Sequence, residues 1–249
     1  RRLLYAAILH DVGKIAVREA VLTKDTRLGS GGIAQVTERL LRIAAELKNE
    51  RYEAYFRDEN NDSQPPKVAD LDARFQELIG MVQFLDQSPI VSEKQRSQVV
   101  EMGRNGWLTD DEVVALTVGR GNLLPSEYQN IQSHARKGEQ LLANLSWTPD
   151  LKGIEGIVGS HHERNDGSGY PRGRHGEEIS LESRIIAICD VYDALVASDR
   201  PYKPALPHDK AVALLRLEAE TGRLSTELVE LFIEKQCHLD LCTTVIQCH

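Results

Sequence analysis

The residues IVGSHHERNDGSGYP run from Ile157 to Pro171 and set two histidines side by side ahead of a glycine-rich turn. A buried polar group without a partner costs roughly 2–7 kcal/mol, so the adjacent His161 and His162 are hard to explain by packing and call for a ligand that rewards them. Two further blocks ask for the same. HDVGK, from His10 to Lys14, closes an apolar helical pattern, and CDVYDALVASDRPYK, from Cys189 to Lys203, places Asp190 and Asp193 in a helix that is apolar nearly all round. Imidazole nitrogen and carboxylate oxygen suit Fe, Mn and Zn, and a carboxylate bridges two such ions where a histidine cannot. Asp11 is the natural bridge. A pair of ions about 3.5–4 Å apart generates a hydroxide near neutral pH and clamps the oxygens of a phosphoryl displacement, which points to a phosphate ester as substrate.

Outward from these blocks the chain reads as helices. Leu3, Leu4, Ala7 and Ile8 have helical spacing, with His10 and Asp11 at the helix end and Gly13 as its terminator. After the break Gly29-Ser30-Gly31-Gly32, a stripe at Ile33, Val36, Leu40, Ile43 and Leu47 predicts a helix. A second stripe, at Leu71, Phe75, Leu78, Val82 and Leu85, follows a polar, proline-containing link from Asp58 to Lys67, so the two read as an antiparallel hairpin. Residues 88–120 read as short helices and turns. Leu124-Pro125-Ser126-Glu127 starts another helix, through a Ser126/Gln129 capping box or with Pro125 at its first position, and His134 lies two turns in. Helices are also expected over 152–163, carrying His161 and His162, and over 180–197. With no strand-period segment of any length, the fold class is all-α, a helical bundle with an inserted helical hairpin.

Bulk properties bound the function. The 249 residues are 41% hydrophobic and 27% charged, within the globular range. A formal net charge of −8 argues against a non-specific nucleic-acid binder, so no DNA partner is expected. No apolar run reaches the roughly 18 residues a membrane helix needs. Cys189, Cys237, Cys242 and Cys248 show no C-x-x-C spacing, which suits a reducing cytoplasm, and with His238 and His249 they lack the spacing of a zinc finger. The chain opens at Arg1 inside a helical pattern and without Met, which reads as a piece of a longer protein.

HDVGK, HHERNDGSGYP and CDVYDAL together resemble the HD-GYP family, a branch of the HD phosphohydrolases of bacteria whose members hydrolyse cyclic di-GMP. The resemblance covers residues 1–28 and 120–205 and a helix or two beyond. It implies a catalytic domain over 1–28 and 120–236, a helical insertion over 29–119 and a tail over 237–249. It also implies His10, Asp11, His134, His161, His162 and Asp190 as ligands of two or three divalent ions, Fe or Mn. Lys14 is then the lysine that meets the scissile phosphate or the leaving oxygen, and Asp11 is catalytic through the bridge. Gly169, Tyr170 and Pro171 form the signature loop that shapes the substrate pocket and meets protein partners. Arg200 and Lys203 grip the substrate's phosphates, a task that suits bidentate arginine, and Asp193 faces substrate. The implied reaction is attack of metal-bound hydroxide on phosphorus, opening cyclic di-GMP to linear pGpG, with GMP as a further product.

Three departures from the family stand out. Members usually contribute another histidine, and some a glutamate, from a helix upstream of the H-D pair, which this sequence does not contain. Residues 12–133 separate Asp11 from His134, far more than is usual, and the extra helices read as a lid, a dimerisation arm or a coupling element. Ala135 stands where proline is common. Two other readings therefore stay open: a catalytically weak or inactive module that binds a cyclic dinucleotide or a protein, and a hydrolase of another cyclic nucleotide.

Overall fold

The computed structural model describes residues 1–57, 66–197 and 205–237. In chain order its helices are α1 (Arg2–Leu9), α2 (Glu19–Leu22), α3 (Gly32–Arg57), α4 (Ala69–Gln87), α5 (Glu93–Arg104), α6 (Asp110–Leu116), α7 (Pro125–Ala143), α8 (Ile154–Val158), α9 (Leu181–Val196), α10 (His208–Glu220) and α11 (Thr226–Glu234). Short 3-10 turns occupy Val12–Ala16 and Gly176–Glu178. Among the described residues strand pairing is limited to isolated bridges, so the architecture is all-α. No described helix is long and apolar enough to cross a membrane.

The chain forms two compact units, one of residues 1–18 and 129–249 and the other of residues 19–128. The second unit takes in residues 29–119, expected from sequence to be an insertion, together with their flanks. Val36, Leu40 and Ala44 of α3 pack with Phe75, Ile79, Val82 and Leu85 of α4 in one core, joined by Val99 and Met102 of α5 and Leu116 of α6. Each large side chain buried there contributes about 1.5–3 kcal/mol. Of the stripes read from sequence, Val36, Leu40, Phe75, Val82 and Leu85 lie in this core, Ile33, Ile43, Leu47 and Leu78 are partly buried against it, Leu71 is buried outside it, and Ile79, not in the stripe, joins it. Ser92 with Gln95 and Thr109 with Glu112 form reciprocal capping boxes that start α5 and α6. At α7, Pro125 takes the first helical position and the Glu127 carboxylate reaches back to the Leu124 N–H at 2.8 Å, so the Ser126/Gln129 alternative is not used.

Residues 19–28 and 120–128 belong to this unit, and Arg27 shows why. Its side chain is 1% exposed, an unusual place for a cation. The guanidinium donates from Nε and Nη2 to the Ser88 carbonyl at 3.1 and 2.9 Å, and from Nη1 to the Val118 carbonyl at 2.5 Å. Burial pulls its pKa down and the nearby buried carboxylate of Asp86 opposes that shift. Asp86 in turn accepts the Leu28 N–H at 2.7 Å. One cation thus ties the end of α4, the turn after α6 and the segment before α3. Replacing it by methionine (Arg27→Met) leaves two carbonyls and a carboxylate without their donor and counter-charge, so we expect a loss of about 2–5 kcal/mol. Urea unfolding followed by the fluorescence of Trp107, which lies in this core, measures it.

In the first unit, Ala6 of α1, Leu142 of α7, Ile154, Ile157 and Val158 of α8 and Ile186 of α9 share a core. The buried Ser183 hydroxyl donates to the Ile157 carbonyl at 3.0 Å and fastens α9 to α8. A further core joins α9 to α10 and α11 through Ile188, Tyr192, Ala211, Leu215, Val229 and Phe232. The helix expected over 152–163 is shorter than its sequence pattern. It spans Ile154–Val158, entered from Gly153 at φ 89° and left through turns in which Ser160 N–H donates to Ile157 and Glu163 N–H to Ser160. His161 and His162 therefore sit on a turn. Neighbouring residues on an α-helix point about 100° apart, whereas on this turn the two rings lie 4.0 Å apart and face one site.

Candidate metal centre

Gly13 fixes the geometry of the site. It is buried, and a Cβ there would lie 1.9 Å from the His134 carbonyl oxygen and 2.6 Å from the Gly138 nitrogen. The sequence reading makes Gly13 a helix terminator. The structure ends α1 four residues earlier, at Leu9, and uses Gly13 to let the turn carrying Asp11 touch the backbone of α7. Gly138 completes the contact, its own Cα side facing Gly13 and Val158. His10 follows the last residue of α1, Asp11 precedes the 3-10 turn, His134 comes from α7, His161 and His162 follow α8, and Asp190 comes from α9.

One donor atom each from Asp11, His134, His161 and His162 all lie within 4.8 Å of one another. His10 and Asp190 flank them. Asp11 divides its oxygens: Oδ1 is 3.3 Å from His134 Nε2, and Oδ2 is 3.4 Å from His10 Nε2 and 2.5 Å from Lys14 Nζ. Asp190 does the same, with Oδ1 3.7 Å from His10 Nε2 and Oδ2 3.8 Å from His162 Nδ1. Each carboxylate thus spans two histidines.

Tautomers show what the cluster wants. The Nδ1 atoms of His10, His134 and His161 lie 2.7, 2.6 and 2.6 Å from the carbonyls of Ala7, Ile131 and Val158. A carbonyl only accepts, so each Nδ1 carries the proton and donates. In a neutral ring that leaves Nε2 as a bare lone pair, and the Nε2 atoms of His134 and His161 face each other at 3.4 Å. Two lone pairs at that distance repel unless a cation lies near both. Burial holds both rings neutral, lowering the pKa of His134 and taking His161 to about 4, and burial with the neighbouring His161 takes His162 to about 3. Burial alone would raise the Asp11 carboxyl, but His10 and Lys14 more than reverse it and keep the group well below the usual carboxylate range. Asp190 is likewise lowered, burial being overcome by His10, His162 and His161. Ionised carboxylates and neutral imidazoles with inward lone pairs are the forms that bind a transition metal, so the residues present fit divalent ions.

His10 is the exception. Hydrogen bonding to Asp11 and then to Asp190 raises its pKa to about 10. It is thus protonated until the pH rises through about 10, and an ion taking its Nε2 must displace that proton. Metal affinity should therefore climb with pH over the neutral and alkaline range, with no contribution from His161 or His162, which are neutral throughout it. Calorimetric titration with Mn(II) near pH 8 in buffers of different ionisation enthalpy should show release of about one proton; an enthalpy independent of buffer would show that His10 holds none.

Of the other residues singled out from sequence, Lys14 lies at the centre on Asp11, and Asp193 lines a cavity of about 520 Å³ with His10, Asp11 and Asp190. Asp193 is exposed rather than buried in its helix, and the cavity's other walls are apolar, from Leu3, Leu4, Ala7 and Ile185 among others. Tyr170 brings its ring 4.7 Å from that of His162, tilted by 33°. Gly169 belongs where it is because a Cβ would meet the Arg164 nitrogen at 2.3 Å. Arg200 and Lys203 lie outside the described residues. Sequence reasoning passed over Glu163. Its carboxylate, 2% exposed, accepts the N–H of Arg172 at 2.8 Å and of Arg174 at 2.9 Å. The only sequence signal was its place directly after His162.

Residues 109–228 match the family model described as the HD domain, a span that takes in His134, His161, His162 and Asp190. Over this stretch the chain carries an HD domain and is similar to HD-GYP proteins. It is 46% identical over 102 residues to a 3'3'-cGAMP-specific phosphodiesterase of Vibrio cholerae, a match covering 41% of this chain and 21% of that protein. It is 45% identical over 104 residues to the cyclic di-GMP phosphodiesterase response regulator RpfG of Xanthomonas campestris, covering 42% and 26%. A cyclic di-GMP phosphodiesterase of Thermotoga maritima is 39% identical over 115 residues, covering 46% and 30%. The matched part of the chain thus spans between a fifth and a third of these relatives. The HD domain and the His/Asp cluster agree on dependence on a divalent metal.

Replacement of Gly13 by alanine (Gly13→Ala) would push the Asp11 turn away from α7. Overpacking of this kind costs about 1–3 kcal/mol, and the Asp11 to His134 spacing should fail with it. We expect a lower melting temperature and metal content well below that of the native protein, measured by calorimetry and elemental analysis.

Proposed function

We propose that this chain carries the catalytic site of a metal-dependent phosphodiesterase that opens cyclic di-GMP to linear pGpG, with GMP as a further product. The observation that carries the reading is the pair of carboxylates, each spanning two histidines, at the edge of an open cavity. The family relatives supply the substrate class. His10, Asp11, His134, His161, His162 and Asp190 would hold two or three divalent ions, a donor set that suits Fe, Mn and Zn and for which the family resemblance favours Fe or Mn. When bound, such ions activate water near neutral pH and offset the charge building on the phosphoryl oxygens.

The remaining steps fall to the chain. Asp11 keeps both oxygens ionised and directed to two sides, which holds the two ligand sets in register. Oxygen from water bonds to phosphorus, the bond from phosphorus to the 3′ oxygen breaks, and that oxygen takes up a proton. Lys14, with Nζ at the Asp11 carboxylate, has the charge and position to stabilise the leaving oxygen. Asp193 faces substrate from the cavity wall, and the Gly169-Tyr170-Pro171 loop, with the Tyr170 ring against His162, would meet substrate from the other side of the metal centre. Arg200 and Lys203 would grip the phosphates. The loop could also meet protein partners, and the α3–α4 hairpin could pair with a second copy.

A specific observation favours a second substrate: the relative sharing 46% identity is named for 3'3'-cGAMP. Anaerobic turnover with Mn(II) of each cyclic dinucleotide, products separated, tests both. Release of linear dinucleotide from either establishes the reaction and ranks the two. Bound metal without product would favour a binding module. Asp11→Ala should lower turnover on the order of a hundredfold or more, beyond the loss typical of an outer-shell partner; unchanged turnover would refute the proposed role.

A further inference from the structure

His10, His134 and His161 are each oriented by their own backbone, through Nδ1 and the carbonyl three residues earlier. His162 has no such anchor among the described residues. It turns the opposite nitrogen, Nδ1, toward Asp190 at 3.8 Å, and its flanking groups are rings: His161 at 4.0 Å and Tyr170 at 4.7 Å. Tyr170 in turn belongs to a loop clamped from several sides. Its own N–H donates to the His162 carbonyl at 3.2 Å, and Gly169 crosses the Glu163 and Arg164 backbone where no side chain fits. Beyond it, Glu163 accepts two N–H groups, Arg172 pairs with Glu139 of α7 at 2.5 Å, and Arg174 donates to the buried Ser160 hydroxyl at 3.1 Å.

We infer that Tyr170 is a positioning residue for the proposed metal ligand His162, and that the buried carboxylate of Glu163 holds the loop that keeps it there. The ring stands in for the backbone carbonyl that orients the other three histidines. Outer-shell partners of ligating histidines are worth roughly 10–100-fold in metal affinity, and an aromatic face restricts ring rotation as a hydrogen bond does. The inference rests on the metal-site reading above, but not on turnover.

The test is Mn(II) affinity of the full chain, by titration against a chelator. Tyr170→Leu should weaken binding roughly tenfold, whereas Tyr170→Phe, which keeps the ring, should stay within about threefold of the native protein. Glu163→Ala should weaken binding as Tyr170→Leu does; if it fails to fold by circular dichroism, the Tyr170 pair decides. A double-mutant cycle then separates positioning from general loosening: in a His162→Ala background Tyr170→Leu should cost no more than about twofold. Native-like affinity in Tyr170→Leu overturns the inference, and so does an equal loss with and without His162. A protein that shows the expected contrast but turns over no cyclic dinucleotide retains the inference and loses the phosphodiesterase reading.

Discussion

Two backbones meet at Gly13 and Gly138 with no room for a side chain on the first. That contact places Asp11 Oδ1 3.3 Å from His134 Nε2, although residues 12–133 lie between them in sequence. It is a steric constraint rather than an attraction, and it is sharp, because interiors are packed too densely to absorb even a methyl at 1.9 Å. The core of Ala6, Leu142, Ile154, Ile157, Val158 and Ile186 then holds α1, α7, α8 and α9 at the spacing from which the donors converge.

On that frame the site is assembled from side chains that would be unhappy without a cation. Three histidines donate Nδ1–H to a local carbonyl, of which His134 and His161 present Nε2 lone pairs inward while His10 carries a second proton, and two carboxylates stay ionised despite partial burial. Without an ion, the charge is met by a proton on His10 and by Lys14. Both are cations of the sign that the two carboxylates call for.

Much of this was legible in the sequence, for a physical reason. Apolar stripes report burial directly, and the paired helices α3 and α4 follow from them, with Ile79 joining the core from outside the stripe. Asp190 was legible because an aspartate in an apolar helix is costly, His134 only through the family resemblance, and the six candidates converge in the structure. What could not be read were features that live in the backbone. The carbonyls of Ala7, Ile131 and Val158 that orient histidines have no sequence signature. The turn that aims His161 and His162 together looked like a helix, since Ile154, Ile157 and Val158 keep helical spacing up to its edge. Nothing in the sequence pattern singled out Glu163, which is buried against two amides, or Arg27, which is buried against two carbonyls.

Charge gives the metal a second task. The chain is acidic overall, and the described face of the cavity adds Asp11, Asp190 and Asp193 around a single lysine, Lys14. A cyclic dinucleotide brings two phosphodiester anions to that face. Like charges about 4 Å apart repel by about 1 kcal/mol even in high dielectric, and the protonated His10 and Lys14 only partly offset the three carboxylates, so divalent cations would favour binding of the proposed substrate. Two divalent ions would contribute four positive charges against the two ligand carboxylates, which turns a repulsive cleft into an attractive one. In the proposed reaction the ions would then contribute to ground-state binding as well as to the chemical step, and loss of metal would raise KM as well as lower kcat. The small complement of fixed cations at the centre follows from the same logic: a site that was already strongly basic would hold its divalent ions poorly.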